Sequence, residues 1–174
     1  EDGRLFCATF PCLVPDTSPL AHVERNYNAI MVRGHAVEDL MYYGPGAGEM
    51  PTASWVVSDI LAAANGAVRR HSRLVFRSPP MSKDELRGER PFSHYIRMQA
   101  VDEAGVLARL ATRFAEHGIS LKFVHQEPLE GSRVAQLIVV THPHLSSVLD
   151  KALEGIQGSG LLTCKTLVLR ILEL

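Results

Sequence analysis

A helical spacing of apolar residues is the most regular pattern in the first half of the chain. The residues in this spacing are Ala53, Val56, Val57, Ile60, Leu61, Ala64 and Val68. They predict a helix of about four turns with one buried face. Pro51 suits the first turn of this helix, and Thr52 suits its N-terminal cap.

Two β-rich segments before the helix predict an antiparallel pair of strands. Residues 27–33 form the first, residues 34–36 turn the chain, and residues 37–43 form the second. Because several apolar residues are contiguous, we expect protein to cover both faces of this hairpin, with some of the cover supplied by a part outside this chain or by a second subunit. Nearer the start, residues 4–14 are rich in β-forming residues but contain Pro11, which predicts an edge strand or a bent one.

The second half of the chain predicts a βαββαβ order. Its segments are a strand at 95–101, a helix at 106–114, strands at 119–126 and 134–141, a helix at 145–156 and a strand at 167–172. This order is typical of a ferredoxin-like unit of roughly 80 residues. Residues 78–93 contain three prolines and mixed charge without periodicity, which predicts a linker before that unit.

Three glycines alternate between the second predicted strand and the first helix, at Gly44, Gly46 and Gly48. The N–H groups at a helix start can hold an anion, so a phosphate or a nicotinamide cofactor is the functional interpretation. The alternative is a tight turn that only packs a strand against a helix. A Rossmann fingerprint is disfavoured, because the pattern G-x-G-x-x-G requires glycine where this chain has Glu49.

The loop at 44–48 (GPGAG), followed by 51–54 (PTAS) and 56–61 (VVSDIL), resembles the segment that closes the catalytic domain of homoserine dehydrogenases. The resemblance covers about the first 70 residues. It implies that the loop lies against NADP or NAD, and Gly48 is the position we expect to matter most. The candidate cofactor-binding residues are Gly44, Gly46, Ala47 and Gly48. The family's lysine and acidic substrate groups lie upstream, so no catalytic residue is assigned in this chain, and neither Lys83 nor Lys122 is given that role.

Residues 102–108 (DEAGVLA) and 116–120 (EHGIS) resemble the ACT domain. That family binds small effectors, commonly amino acids, at the loop between its first strand and first helix, and Ala104 stands where it usually has proline. The resemblance implies an amino-acid effector, threonine first, at Asp102, Ala104, Gly105, Val106 and Leu107, with Ile119 and Ser120 from a neighbouring unit. In the alternative interpretation Gly105 only makes a turn and Asp102 only caps the helix.

Taken together, the resemblances predict an α+β chain in which a partial α/β catalytic segment precedes a ferredoxin-like ACT domain. We expect the catalytic segment at 1–77, the linker at 78–93 and the ACT domain at 94–174. The predicted function is the C-terminal part of an NAD(P)-dependent homoserine dehydrogenase, in threonine and methionine biosynthesis, that assembles as a dimer or tetramer. The alternative is a stand-alone ACT module that senses an amino acid without catalysis.

Composition and charge argue against several classes of partner and site. Its 174 residues are 46% hydrophobic and carry a net charge of −1, which argues against nucleic acid or a membrane as a partner. Three cysteines without C-x-x-C spacing indicate neither a disulfide framework nor a zinc site, and fit a reducing cytoplasm. His142 and His144 lack a third ligand at suitable spacing, so no metal is predicted. The first residue is Glu1 rather than Met, which suggests a piece of a longer protein.

Overall fold

The computed structural model describes residues 5–66 and 89–173. The chain divides into two compact units, one of residues 16–81 and one that combines residues 1–15 with residues 82–174. Val68 of the predicted helical stripe and most of the predicted linker at 78–93 lie outside the described residues.

The smaller unit contains the predicted hairpin and helix. Its elements are a short 3₁₀ helix at Pro19–His22, β2 at Tyr27–Gly34, β3 at Glu38–Pro45 and α1 at Glu49–Ala64. Strands β2 and β3 pair antiparallel from Tyr27 opposite Pro45 to Gly34 opposite Glu38. Arg33 binds Asp39 through two hydrogen bonds of 2.6 and 2.7 Å beside the turn. The hairpin prediction is confirmed.

The apolar stripe of α1 is not buried within this chain, so that part of the prediction is wrong. None of the residues of α1 is buried, and Trp55 and Ile60 are 69% and 62% exposed. On the hairpin, Ile30 and Tyr42 are similarly exposed, so the expected cover on both faces is not found among the described residues. A two-stranded ribbon and one helix are too few elements to bury the apolar faces of both without a further layer of protein.

Helix α1 also begins earlier than its sequence predicts. Gly48 is the N-cap, with φ 124° and ψ 154°, and no side chain caps the helix. The Thr52 N–H donates to the Gly48 carbonyl at 3.1 Å. Thr52 therefore lies inside the first turn, and the prediction that it is the cap is wrong. Glycine can cap the helix here because it tolerates a positive φ.

The larger unit has the predicted ferredoxin-like order. Its elements are β4 at Ser93–Val101, α2 at Val106–Glu116, β5 at Leu121–Pro128, β6 at Val134–Thr141, α3 at Ser146–Gln157 and β7 at Leu167–Ile171. The four strands lie in the order β7-β4-β6-β5, and all neighbouring pairs among them are antiparallel. The prediction of a βαββαβ unit is confirmed.

A fifth strand joins this sheet from the start of the chain. Strand β1, Cys12–Leu13, pairs in parallel with β7, and Cys12 lies opposite Arg170. The Leu172 N–H donates to the Leu13 carbonyl at 2.8 Å. The predicted edge strand is therefore present, but it extends the ACT sheet, whereas the predicted boundary at 1–77 assigned it to the other domain.

The core of the larger unit lies between its helices and one face of its sheet. Alternate residues of β4 and β6 point into it, and the two helices contribute one stripe each. Its largest fully buried apolar side chains are Phe114, Ile96, Met98, Leu137, Leu149 and Ile156. This unit has a hydrophobic core of its own, and no such core is found among residues 16–66 of the smaller unit.

Candidate functional site

The glycine loop is held by asparagines at the start of β2. The Gly46 N–H donates to the Asn26 carbonyl at 2.9 Å, and the Asn26 side chain donates to the Ala47 carbonyl at 2.9 Å. Gly44 lies in β3 opposite Asn28. The loop therefore folds back on β2, and these contacts fix the position from which α1 begins.

Two of the three glycines have a structural reason, and the two reasons differ. A Cβ at Gly46 would overlap the Asn28 side chain, and Gly48 has a φ of 124° that other residues rarely adopt. A Cβ at Gly44 would meet nothing within 4 Å. Packing thus explains Gly46 and backbone conformation explains Gly48, while nothing in the described part of the chain explains Gly44.

The start of α1 offers N–H groups but also a negative charge. The first turn of a helix has N–H groups without intrahelical partners, and the loop at 45–50 is exposed. Glu49 is the first helical residue. A carboxylate there favours the helix dipole and opposes a phosphate at the same place. The geometry therefore suits backbone contacts to an uncharged part of a cofactor better than a phosphate cradle.

The loop between β4 and α2 turns at Gly105, which caps α2 with φ 87° and ψ −10°. The Asp102 carboxylate accepts a hydrogen bond from the Gln126 side chain at 3.0 Å, and its own N–H donates to the Arg133 carbonyl. No side chain caps α2. The alternative in which Asp102 caps the helix is therefore wrong, and Asp102 instead joins the loop to β5.

The remaining predicted effector residues differ in their availability. The Val106 N–H donates to the Glu103 carbonyl at 3.3 Å, so it is not free to bind an effector. Leu107 is 38% exposed beside the exposed Ala104, whereas Ile119 is 4% exposed and belongs to the core. Of the two residues predicted to come from the neighbouring unit, Ser120 alone is exposed.

Helix α2 separates the two predicted parts of the effector site. The loop at 102–107 lies at the start of α2, and residues 119–120 follow its end. Eleven residues make a helix of about 16 Å, so the two parts do not meet in one chain. A site that uses both parts therefore requires a neighbouring copy of the chain to supply residues 119–120.

A third polar cluster surrounds His94, which sequence reasoning missed. The His94 side chain is 2% exposed, and its ring lies 4.7 Å from that of His144. Its Nε2 is 3.4 Å from the Ser146 hydroxyl. Burial, assisted by nearby His144 and Arg170, lowers the pKa of His94 from 6.5 to about 4. His94 is therefore neutral at pH 7.

Arg170 completes this cluster from β7. Its Nε and Nη2 donate to the Ser146 hydroxyl at 3.3 and 3.2 Å. Its guanidinium carbon lies 4.2 Å from the Phe10 ring centroid and 5.5 Å from that of Phe92. The only signal in the sequence was a charged residue inside an apolar strand, which is uncommon in a core unless it has partners.

Metal sites and membrane helices are not found within 5–66 and 89–173. These residues contain no cluster of three or more side chains of the kinds that ligate metals. Their helices are also too short or too polar to cross a membrane.

Comparison with known families separates the chain into two matched segments. Residues 4–61 match the family described as homoserine dehydrogenase, and residues 94–154 match the ACT domain. The glycine loop lies in the first segment, and the loop at Gly105 lies in the second. Both resemblances noted in the sequence are thereby confirmed.

Individual relatives match both segments together. The homoserine dehydrogenase of Corynebacterium glutamicum is 37% identical over 92% of this chain, and that of Bacillus subtilis is 35% identical over 82%. These matches cover 36% and 33% of the relatives. A solved homoserine dehydrogenase from Thiobacillus denitrificans has a TM-score of 0.73 at 28% identity, over 94% of this chain and 38% of that one. The chain thus spans about a third of the length of the relatives it matches.

Proposed function

We propose that this chain is the C-terminal part of an NAD(P)-dependent homoserine dehydrogenase, which interconverts aspartate semialdehyde and homoserine in the cytoplasm. The observation that carries the proposal is the similarity to one relative along 92% of the chain, through both matched segments in order. A stand-alone ACT module is disfavoured, because the similarity also includes residues 4–61. Feedback by an amino acid from threonine or methionine biosynthesis fits the ACT segment.

The glycine loop is the part of this chain that we assign to the cofactor. Hydride transfer needs the nicotinamide ring to be positioned, and backbone groups are sufficient for that purpose. Gly44 supports the assignment because no neighbour in the described chain requires a glycine there. The close approach of a cofactor is a reason for glycine that the chain alone does not supply.

Activity is tested by comparing this chain with the longer chain encoded by the same reading frame. We expect the longer chain to reduce NAD(P)+ with homoserine as substrate, and the 174-residue chain to show no turnover. The reason is that the resemblance places the dinucleotide-binding domain and the lysine upstream. Turnover by the 174-residue chain, or none by the longer one, would overturn the proposal.

The role of the loop is tested with Gly44→Ala in the longer chain. Because the added Cβ has open space within this chain, we expect its melting temperature to stay near that of the parent while its NADP affinity falls. Gly155→Ala, in α3, is the matched control because its Cβ also meets nothing within 4 Å. If the two variants bind NADP equally well, the alternative remains, in which the glycines only make a tight turn that packs a strand against a helix.

A further inference from the structure

A cavity of about 200 Å³ lies at one end of the larger unit. It is lined by Phe10, His94, Ser146, Asp150 and Arg170, among others. His94 is near the start of β4, whereas the predicted effector loop follows the end of that strand. Eight residues of strand span about 26 Å, so this cavity is separate from the loop at Gly105.

Arg170 brings a positive charge to the cavity. It belongs to none of the ion pairs found within 5–66 and 89–173. Two of its N–H groups bind the Ser146 hydroxyl, and an arginine has five such donors in a planar fork. Its guanidinium carbon lies 4.2 Å from the Phe10 ring centroid and 5.5 Å from that of Phe92, and these contacts restrict the orientation of the fork.

His94 supplies the second, independent observation. Its Nδ1 is buried without a well-formed hydrogen bond in the described part of the chain, although a backbone contact with Phe92 acts on the ring, and Nε2 of the adjacent His144 is likewise unpaired. Buried polar atoms are nearly always paired, and an exception indicates a bound molecule or a functional group. His94 lines the cavity, so an occupant of the cavity can approach its ring.

Helix α3 begins at the cavity wall. It is twelve residues long, its first residue is Ser146, and no side chain caps it. The N–H groups and the positive end of the dipole at such a helix start favour a negative group nearby. Arg170 and the start of α3 therefore both favour a negatively charged group in the cavity.

We propose that this cavity binds a small aliphatic monocarboxylate. Arg170 and the start of α3 bind the carboxylate, and Phe10, Leu149 and Val168 contact the aliphatic part. Asp150, one turn into α3, also lines the cavity. Its negative charge offsets part of the positive charge of Arg170, so the cavity suits a single anionic group and dicarboxylates bind less well. This site is independent of the proposed dehydrogenase function, because none of its residues belongs to the glycine loop or the Gly105 loop.

The experiment is a titration of the 174-residue chain with butyrate, followed by the NMR signals of the His94 ring and the Arg170 Nε–H. Saturable shifts at millimolar butyrate are expected, with weaker binding of the neutral butyramide and of succinate. In Arg170→Met we expect affinity to fall by about tenfold or more, because a charged hydrogen bond is lost. Arg97→Met is the matched control, since Arg97 is exposed on β4 and does not line the cavity.

Two further variants separate binding from folding. Ser146→Ala keeps the stacked guanidinium but removes the hydroxyl that it binds, so we expect weaker butyrate binding in a folded chain. If Arg170→Met unfolds, Arg170→Lys keeps the charge without the fork and should also bind butyrate more weakly. The proposal is overturned by equal affinity for butyrate and butyramide, by unchanged affinity in these variants, or by the absence of any saturable shift.

Discussion

Arg170 and Phe10 form a cation–π pair in which the guanidinium carbon lies 4.2 Å from the ring centroid. The pair joins residues from opposite ends of the chain. Phe10 lies in the segment matched to homoserine dehydrogenase, whereas Arg170 lies in the last strand of the ferredoxin-like unit. The start of the segment at 4–61 is thus a structural part of the larger unit.

Removing the Phe10 ring should destabilise the larger unit. Phe10→Ala removes the stack on Arg170 and an edge contact with Phe92 at 5.5 Å. We expect the free energy of unfolding to fall by about 1–3 kcal/mol in urea denaturation followed by circular dichroism. Phe123→Ala, at an exposed ring on β5, is the control and should cost less. Equal losses in the two variants would contradict a structural role for this pair.

The N-cap of α1 should not tolerate a side chain. Gly48→Ala forces φ 124° on a residue with a Cβ, and we expect a cost of about 1–3 kcal/mol in the unfolding of the smaller unit. Thermal melting followed by circular dichroism measures it. Gly44→Ala adds the same atom without a positive φ and should melt close to the parent. A neutral Gly48→Ala would mean that the cap adopts another conformation.

His94 should make stability depend on pH. Its pKa is lowered from 6.5 to about 4 in the folded chain, chiefly by burial, so the unfolded chain binds the extra proton first. Stability is therefore greatest above pH 6.5 and falls as the pH drops toward 4, by about 1–3 kcal/mol in total. Urea denaturation at several pH values measures the slope. His94→Gln should flatten it, whereas His117→Gln, at an exposed position, should not.

An amino acid, threonine first, should bind at the loop between β4 and α2. Calorimetric titration of threonine, isoleucine, methionine and lysine into the chain should give heat with at least one of them. We expect Gly105→Val to abolish that heat, because a side chain at φ 87° strains the loop and blocks close approach. Gly131→Val, at φ 71° in another turn, is the control for strain and should retain it. If none of the four amino acids gives heat up to millimolar concentration, the effector prediction is wrong and Gly105 only makes a turn.

The exposed apolar surface of the smaller unit should drive association into a dimer or tetramer. Ile30 and Tyr42 on the hairpin and Ile60 on α1 are 66%, 65% and 62% exposed, and exposed apolar side chains that lie together mark sites of association. Light scattering at micromolar concentration should give a mass above that of one chain, and Ile60→Lys should reduce it. Ser132→Lys, in an exposed turn of the larger unit, is the control. A monomer for the parent chain would refute the prediction.

The sequence by itself determined the local elements of this protein. The alternation of β4 and β6, the helical spacing of α2 and α3, and the glycines that end them predicted the ferredoxin-like order. These patterns are visible because a helix or a strand repeats its environment every few residues. The glycine loop could also be identified in the sequence, because the requirement for a positive φ at Gly48 concerns the backbone of that residue alone.

Only the tertiary structure decided which elements meet. Strand β1 pairs with β7 rather than with the hairpin that follows it, and the stripe of α1 finds no cover in the described chain. The cavity at His94 joins residues from β4, α3 and β7 with Phe10. Long-range pairing depends on complementary surfaces that lie far apart in the chain, and no local period records that complementarity.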